Sequence, residues 1–431
     1  MFAPDAWSRG LPRSRVLPIA ERVRAMPGVL DGITVLDLSR LIAGPYSAMA
    51  LADLGARVIK VEALAGEDGR HLGPPFVQGS SVMYMTCNRG KESVALDVRK
   101  PAGQDLLHRL IRRAQVVVHN FRADFTEQHG LTYEALRKVQ PEIIYAAVSA
   151  FGEDGPYRLR PAVDSVVQCT AGGFYASGDA GDDPIRVGLP IVDVSCGMAG
   201  AFGILAAIMH WRQTGKGQRV ETVLVDAMFN LMATRVGEYQ VDGREPARAI
   251  NLPLAAPSRH FRAGDGRWFN VSVVNDAAFA RFCAVVGRPE WTADPRYATN
   301  AGRVERRPEM AAALSAIFAE RPASHWVEAF SAADLPCGPV NTVAEAMQDK
   351  VLAARFVAHG GVPELPQIPF PSHLAQGMRR PDGMLPPPRL GEHTAAVLGE
   401  IGVGAAELER LMRDRVVRLG ADATGRRTPA G

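Results

Sequence analysis

The first clear pattern in the chain is a short apolar run, Ile33-Thr34-Val35-Leu36-Asp37-Leu38, that stops at Ser39. Gly44-Pro45 then opens a stretch with Met49, Leu51, Ala52 and Leu54 at helical spacing, proline being well tolerated in a first helical turn. Gly55 closes that stretch, and Arg57-Val58-Ile59-Lys60-Val61-Glu62 starts a second strand-like run. Strand, helix and strand within about 30 residues form a βαβ unit, which predicts a parallel sheet. The alternation continues with strands at 93–97, 116–120 and 143–148 and with helical periods at 102–114 and 133–139. These strands are apolar on both faces, as in a sheet covered on both sides. Ligands bind such sheets at the carboxyl ends of the strands, so the polar tips Arg40, Glu62, Asn120-Phe121-Arg122 and Ser149 are where chemistry is expected.

Further on, residues 191–212 read as a long buried helix whose Gly197, Ala199, Gly200, Ala201 and Gly203 allow close packing. Thr214-Gly215-Lys216-Gly217-Gln218 reads as a turn before a strand at 219–223, and 226–239 reads as one helix. After a loop over 240–260, Gly264-Asp265-Gly266 precedes the alternating run Arg267–Val273, a hairpin signal. The predicted organisation is an extension over 1–25, the first part of a large Rossmann-like domain over 26–229, and a small α+β domain over 230–346. A proline-rich linker over 347–388 leads to a return to the large domain over 389–431. The expected fold class is therefore α/β, a Rossmann-like large domain plus a small α+β domain.

Composition narrows the function. The chain has 431 residues, 47% hydrophobic and 22% charged, an ordinary globular balance. The net charge of +3 resides in residues 1–25, and the other 44 basic residues are matched by 44 acidic ones. There is no basic body to grip nucleic acid. No run of 18 uninterrupted apolar residues argues for a membrane span. Five scattered cysteines without a CxxC pair argue against a disulfide framework and a zinc site, and fit a reducing cytoplasm. Of the 49 basic residues 43 are arginine, a usage that fits a GC-rich bacterial genome. GxGxxG, Walker A, GxSxG and HExxH are absent, and no histidine spacing suggests a metal ligand set.

Two blocks carry a resemblance: Val35 through Pro45 (VLDLSRLIAGP), and Ala52 through Glu62 (ADLGARVIKVE). With Asn88–Asp97, Asn120-Phe121-Arg122, Phe151–Tyr157, Thr214–Gln218, Cys337–Val340 and Leu390–Thr394, they resemble family III CoA-transferases in the same order. That family includes formyl-CoA transferase, carnitine and bile-acid CoA-transferases and the related α-methylacyl-CoA racemases. The resemblance spans residues 29 to about 418. It implies a homodimer in which two ring-shaped subunits interlock. It also implies acyl-CoA and a carboxylic acid as substrates, coenzyme A as co-substrate, and neither a tightly bound cofactor nor a metal.

On its own, Asp164 before an apolar run reads as a helix N-cap. The resemblance makes it the nucleophile, because Pro161-Ala162-Val163-Asp164 through Gln168 and Gly172 matches the segment that carries the transferases' single aspartate. Such a carboxylate conserves the energy of a thioester that water would destroy. By the same resemblance Ala43, Arg89, Lys91, Asn120, Phe121 and Arg122 are expected at coenzyme A, the cations pairing with its phosphates. Gln168, Gly172 and Gly173 are expected near the oxyanion, and Arg40 and Arg186 at a distal carboxylate.

Three departures shape the expectation. Ala162-Val163 precedes the aspartate where racemases have Gly-His, which counts against racemisation. Leu252–Ser258 replaces the glycine run of formyl-CoA transferase, which counts against formate and oxalate. The blocks Gly73–Val77 and Pro387–Gly391 look more like transferases of dicarboxylates such as succinate or glutarate. The competing readings are an acyl-CoA racemase or isomerase on the same scaffold and a non-catalytic CoA-binding protein.

Overall fold

Six parallel strands and one short antiparallel strand place the carboxyl-end loops side by side. In the computed structural model, which describes residues 28–178, 181–246, 248, 255–357, 362–369 and 385–420, twelve strands are formed. The expected extension over 1–25, residues 358–361 and 370–384 of the proline-rich linker, and residues 252–254 of the glycine-loop counterpart lie outside the described residues. The strands are β1 (Thr34–Asp37), β2 (Arg57–Glu62), β3 (Phe76–Val77), β4 (Ser80–Ser81), β5 (Lys91–Leu96) and β6 (Val116–His119). They continue as β7 (Ile144–Ser149), β8 (Arg219–Val223), β9 (Ser258–Arg262), β10 (Trp268–Ser272), β11 (Cys337–Pro339) and β12 (Val417–Arg418).

The large sheet runs in the order β12-β5-β2-β1-β6-β7-β8, with β12 antiparallel to β5 and every other pair parallel. Strand side chains alternate between faces. Val35, Val58, Val116, Val118 and Ile144 share one core with Ala48, Leu51, Ile204 and Ile208. Leu36, Ile59, Val94, Val117 and Tyr145 share the other with Leu107, Leu110, Leu136, Val397, Leu398 and Leu411. Both faces are thus covered, and the continuous apolar runs follow from that. The chain builds outward from β1 through β2 and β5, then crosses to β6, β7 and β8 on the other side. The switch lies between β1 and β6, where this topology opens a crevice.

Helices Ala43–Asp53 and Ile191–Thr214 cross closely on the first face. A side chain at Gly200 would stand 2.5 Å from Ser47 Oγ, and one at Gly197 would stand 2.8 Å from Ala43 O. Ser47 Oγ occupies the contact, lying 3.0 Å from Ala43 O and 2.9 Å from Gly197 O. By length and composition Ile191–Thr214 is apolar enough to cross a bilayer. Its Val192, Cys196, Ile204, Ala207 and Ile208 are buried, whereas Phe202 and Met209 are exposed.

The chain divides into two compact units. One holds the described residues up to Val167, Pro190–Asn230 and those from Arg355 onward; the other holds Gln168–Leu189 and Leu231–Ala354. The second unit thus includes a segment that its position in the chain assigned to the large domain. Its three-stranded sheet runs β11-β10-β9, with Phe269 opposite Phe261 and Pro339. Its core is aromatic: Phe282 stacks on Phe330 at 5.3 Å, and Phe318 meets Phe269 edge-on at 5.0 Å.

One expectation changes and one stretch gains elements. The helix read over 226–239 is two, Leu224–Leu231 and Ala233–Asp242, parted at Met232, whose φ of −97° and ψ of 11° leave the helical range. The stretch between β2 and β5, to which the sequence pattern assigns no element, holds the β3–β4 hairpin, a 3-10 turn Asp68–His71 and a helix Val82–Cys87 capped by Ser81. These pieces are too short to show a period.

Candidate active site

Asn120, just past β6, grips the loop after β1. Its Oδ1 accepts the Arg40 N–H at 2.9 Å and its Nδ2 donates to Arg40 O at 2.7 Å. The amide is therefore spent on backbone and holds the two switch-point loops in register. The half-exposed Arg40 guanidinium lies 5.8 Å from the centre of the Phe121 ring and pairs with Asp68 at 3.2 Å. Arg122 leads into the helix Ala123–Gln128 and pairs with Asp124 on the surface.

Two cavities open here and share Arg40, Asp68, Phe121 and Arg122 as walls. The larger, about 640 Å³, reaches Ser39, Glu62, Asp97, Arg99 and Phe125. The smaller, about 240 Å³, reaches Leu41, Ala43, Asn120, Ser149, Tyr157, Arg158, Arg160, Val163 and Asp193. A volume of several hundred Å³ at a switch point is what a small-molecule site requires.

Asp164 starts the helix Asp164–Thr170 and is only 4% exposed. Its Oδ2 accepts the backbone N–H groups of Val192 at 2.9 Å and Asp193 at 3.1 Å. Both belong to the first turn of the 24-residue helix Ile191–Thr214, whose amino end carries unpaired donors and positive partial charge. Ala162, Val163 and Asp193, next to Asp164 along the chain and through this hydrogen bond, line the smaller cavity. Burial pushes the Asp193 carboxyl up to about 7, and the negative charge of Asp164 adds to the rise.

The sign of that shift gives a test. A carboxyl raised from 3.8 to about 7 by folding stabilises the fold fully below 3.8 and loses that contribution as pH rises through 7. Asp193→Asn removes the loss. The melting temperature of the variant, minus that of the wild type, should therefore grow between pH 4 and 7 by about 4 °C or more and then level off. A difference that stays constant over this range contradicts the assignment; differential scanning fluorimetry against pH reads it.

The other expected residues divide. Ala43 is buried, opens the helix Ala43–Asp53 and lines the smaller cavity. Arg89 and Lys91, expected at phosphate, are instead structural. All three ammonium protons of Lys91 are used, on Asp37 Oδ2 at 2.7 Å, Pro45 O at 2.8 Å and Asn88 Oδ1 at 2.8 Å. Arg89 is buried against both carboxylate oxygens of Asp53 at 3.1 and 2.7 Å and also donates to Gln367. Neither residue lines either of these two cavities. Gln168, Gly172 and Gly173 fall in the second unit. There Gln168 Nε2 donates to Leu189 O at 3.3 Å, and Gly172, with φ of +90°, precedes the short helix Gly173–Ala176. Arg186 is exposed, in the same unit. Among the described residues no three His, Cys, Asp or Glu side chains group to hold a metal ion.

Sequence reasoning missed Asp193, although its signal was present: a lone carboxylate in the first turn of an otherwise apolar helix. It also missed Glu153, a wall residue of the smaller cavity paired with Arg219 at 3.1 Å. Behind it lies His119, fully buried with neither ring nitrogen hydrogen-bonded. Burial, and then the charge of Arg219, hold this imidazole down at about 3, so it is neutral at physiological pH.

Comparison with known proteins gives a consistent result. The family model of CoA-transferase family III matches residues 30–394. A succinate–glutarate CoA-transferase of Agrobacterium fabrum is 34% identical over 385 residues, which cover 86% of this chain and 95% of that protein. An acetyl-CoA:oxalate CoA-transferase of Acetobacter aceti is 34% identical over 395 residues, 90% of this chain and 100% of that one. The crystal structure of a CAIB/BAIF family protein from Brucella suis superposes with a TM-score of 0.78 at 33% identity, covering 87% of this chain and 100% of that one.

Proposed function

This chain belongs to CoA-transferase family III and is an acyl-CoA:carboxylate CoA-transferase; from that premise we propose that Asp164 carries the reaction and that dicarboxylates are its substrates. The observation that carries the reading is the buried Asp164 carboxylate, fixed by two backbone N–H groups at a helix amino end beside the switch-point cavities. Asp164 attacks the donor thioester carbonyl, the C–S bond breaks, and an acyl-aspartyl anhydride and CoA thiolate form. The thiolate attacks the aspartyl carbonyl, releasing the donor as its carboxylate and leaving an aspartyl-CoA thioester. The acceptor carboxylate attacks that thioester and expels the thiolate again. Attack of the thiolate on the acceptor's acyl carbon then yields the new acyl-CoA and restores Asp164. The low exposure of Asp164 keeps water from the anhydride.

The larger cavity, with Arg40, Arg99 and Arg122 in its wall, suits the phosphate-bearing end of coenzyme A. The smaller one, with Arg158 and Arg160, suits an acid with a second carboxylate. Relatives named for succinate and glutarate support that class, and the relative named for oxalate makes oxalate an acceptor to include despite the missing glycine run. A homodimer is supported by the large apolar side chains Phe202, Met209 and Phe229 that the first unit leaves exposed. The cytoplasm is supported by five cysteines that are all free.

Asp193 favours one further reading. A second carboxyl beside Asp164, raised to about 7, is the additional proton carrier that racemisation requires. The deciding experiment incubates the protein with succinyl-CoA and other acyl-CoAs, then adds hydroxylamine. Peptide mass spectrometry should find a hydroxamate at Asp164. No adduct with any acyl-CoA, together with deuterium uptake at the α-carbon, would replace transfer by racemisation.

A further inference from the structure

The loop after β1 holds a conformation that its sequence does not favour. Leu41 has φ of +68°, a left-handed backbone that disfavours an L side chain. It lies in the wall of the smaller cavity, between Arg40 and the start of the helix Ala43–Asp53. Glu67, 3% exposed, reaches this loop from beyond β2. Its Oε2 accepts the Leu41 N–H at 2.7 Å, and its Oε1 stands 3.0 Å from Lys60 Nζ. Lys60 is fully buried, donates to Ser39 O at 2.8 Å, and lies 3.8 Å from Asp37, its partner in the β1–β2 register. One carboxylate thus ties the amide of the strained residue to a lysine that also holds the loop's first carbonyl and is rooted in the central strands.

We propose that Glu67, itself in the wall of the larger cavity, is a positioning residue for acyl-CoA: through Lys60 and the Leu41 N–H it holds residues 39–43 in the shape the cavity wall needs. The proposal rests on reading that wall as the acyl-CoA site. Without the Glu67 bond, Leu41 relaxes toward ordinary backbone and the competent wall becomes a minority state. The apparent affinity then falls in proportion.

The test uses the full chain, calorimetric titration with free coenzyme A, and steady-state kinetics. Glu67→Ala should raise both the Kd for coenzyme A and the KM for acyl-CoA about tenfold, the size of a left-handed penalty for an L residue, with kcat within about twofold. Glu67→Gln keeps an acceptor for the Leu41 N–H and should lose no more than about threefold. Leu41→Gly, added to either variant, should restore most of the loss, because glycine takes a positive φ freely. A purely structural Glu67 would give a lower melting temperature that glycine at position 41 does not repair. Unchanged affinity in Glu67→Ala, or a loss that Leu41→Gly leaves untouched, overturns the proposal. If Glu67→Ala does not fold, Glu67→Gln with and without Leu41→Gly decides on the same criterion. Failure of the wild type to bind coenzyme A would instead remove the site reading on which the proposal rests.

Discussion

Asp164→Asn should lower kcat for CoA transfer by about 10⁴-fold or more while leaving the affinity for coenzyme A within about twofold. Asparagine has the same shape, and its Oδ1 can still accept the N–H groups of Val192 and Asp193, so the turn at the start of the long helix is retained. What disappears is the nucleophile. The same substitution takes a negative charge away from Asp193, whose proton affinity should fall while burial, the larger cause of its rise, still holds it above the ordinary carboxyl range. Asp164→Glu keeps the charge but carries it one methylene further, and should also lose most of its turnover, because reacting atoms misplaced by about 1 Å cost on the order of 10²-fold. The measurement is a coupled transfer assay from succinyl-CoA, with the intact mass of the variant checked for reversion to aspartate. More than about 1% of wild-type turnover in a verified asparagine variant would dismiss the covalent route.

Asp37→Ala should destabilise the first unit by about 3–5 kcal/mol, the cost of stripping a buried charge of its partner. Burial works to raise the Asp37 carboxyl, but Lys60 and Lys91 outweigh it and hold it at about 2. Both lysines are fully buried, so removing Asp37 leaves two cations in the sheet. Lys91→Met should cost less. Burial, only partly offset by Asp37, already lowers the Lys91 ammonium to about 8, and the variant leaves Asp37 beside Lys60 at 3.8 Å. Urea unfolding compares the two; a smaller loss for Asp37→Ala than for Lys91→Met would contradict this account of the network.

The sheet was legible because each strand is buried on both sides, so Val35-Leu36, Val116-Val117-Val118 and Ile144-Tyr145 stand out as apolar runs of strand length. Arg40, Asn120 and Arg122 followed from topology alone, since polar residues that end parallel strands meet at the switch point. Asp164 was legible only through family resemblance, because an aspartate opening a helix has a structural role everywhere else. Arg89 and Lys91 were misread because their partners Asp53 and Asp37 lie 36 and 54 residues away along the chain. Nothing local distinguishes a buried ion pair from a surface charge. The same blindness hid Glu67, which meets Leu41 only once β2 has folded against β1.

The edge of β5 has an implication for the order of synthesis. Val417 and Arg418 pair with Leu96 and Ala95, His393 accepts the Ser93 N–H at 3.2 Å, and Thr394 accepts the Ala95 N–H at 3.1 Å. Val397, Leu398 and Leu411 complete the core over the same strand. A ribosome makes β5 some three hundred residues before the segment that covers it. Throughout that interval the nascent chain carries an open strand edge and a bare apolar face, a known route to misassembly. The second unit is made within that interval, so its core can close before the first unit's can. The first unit therefore completes its fold only after residues 393–418 have been made, and a chaperone that shields strand edges is the helper this architecture calls for.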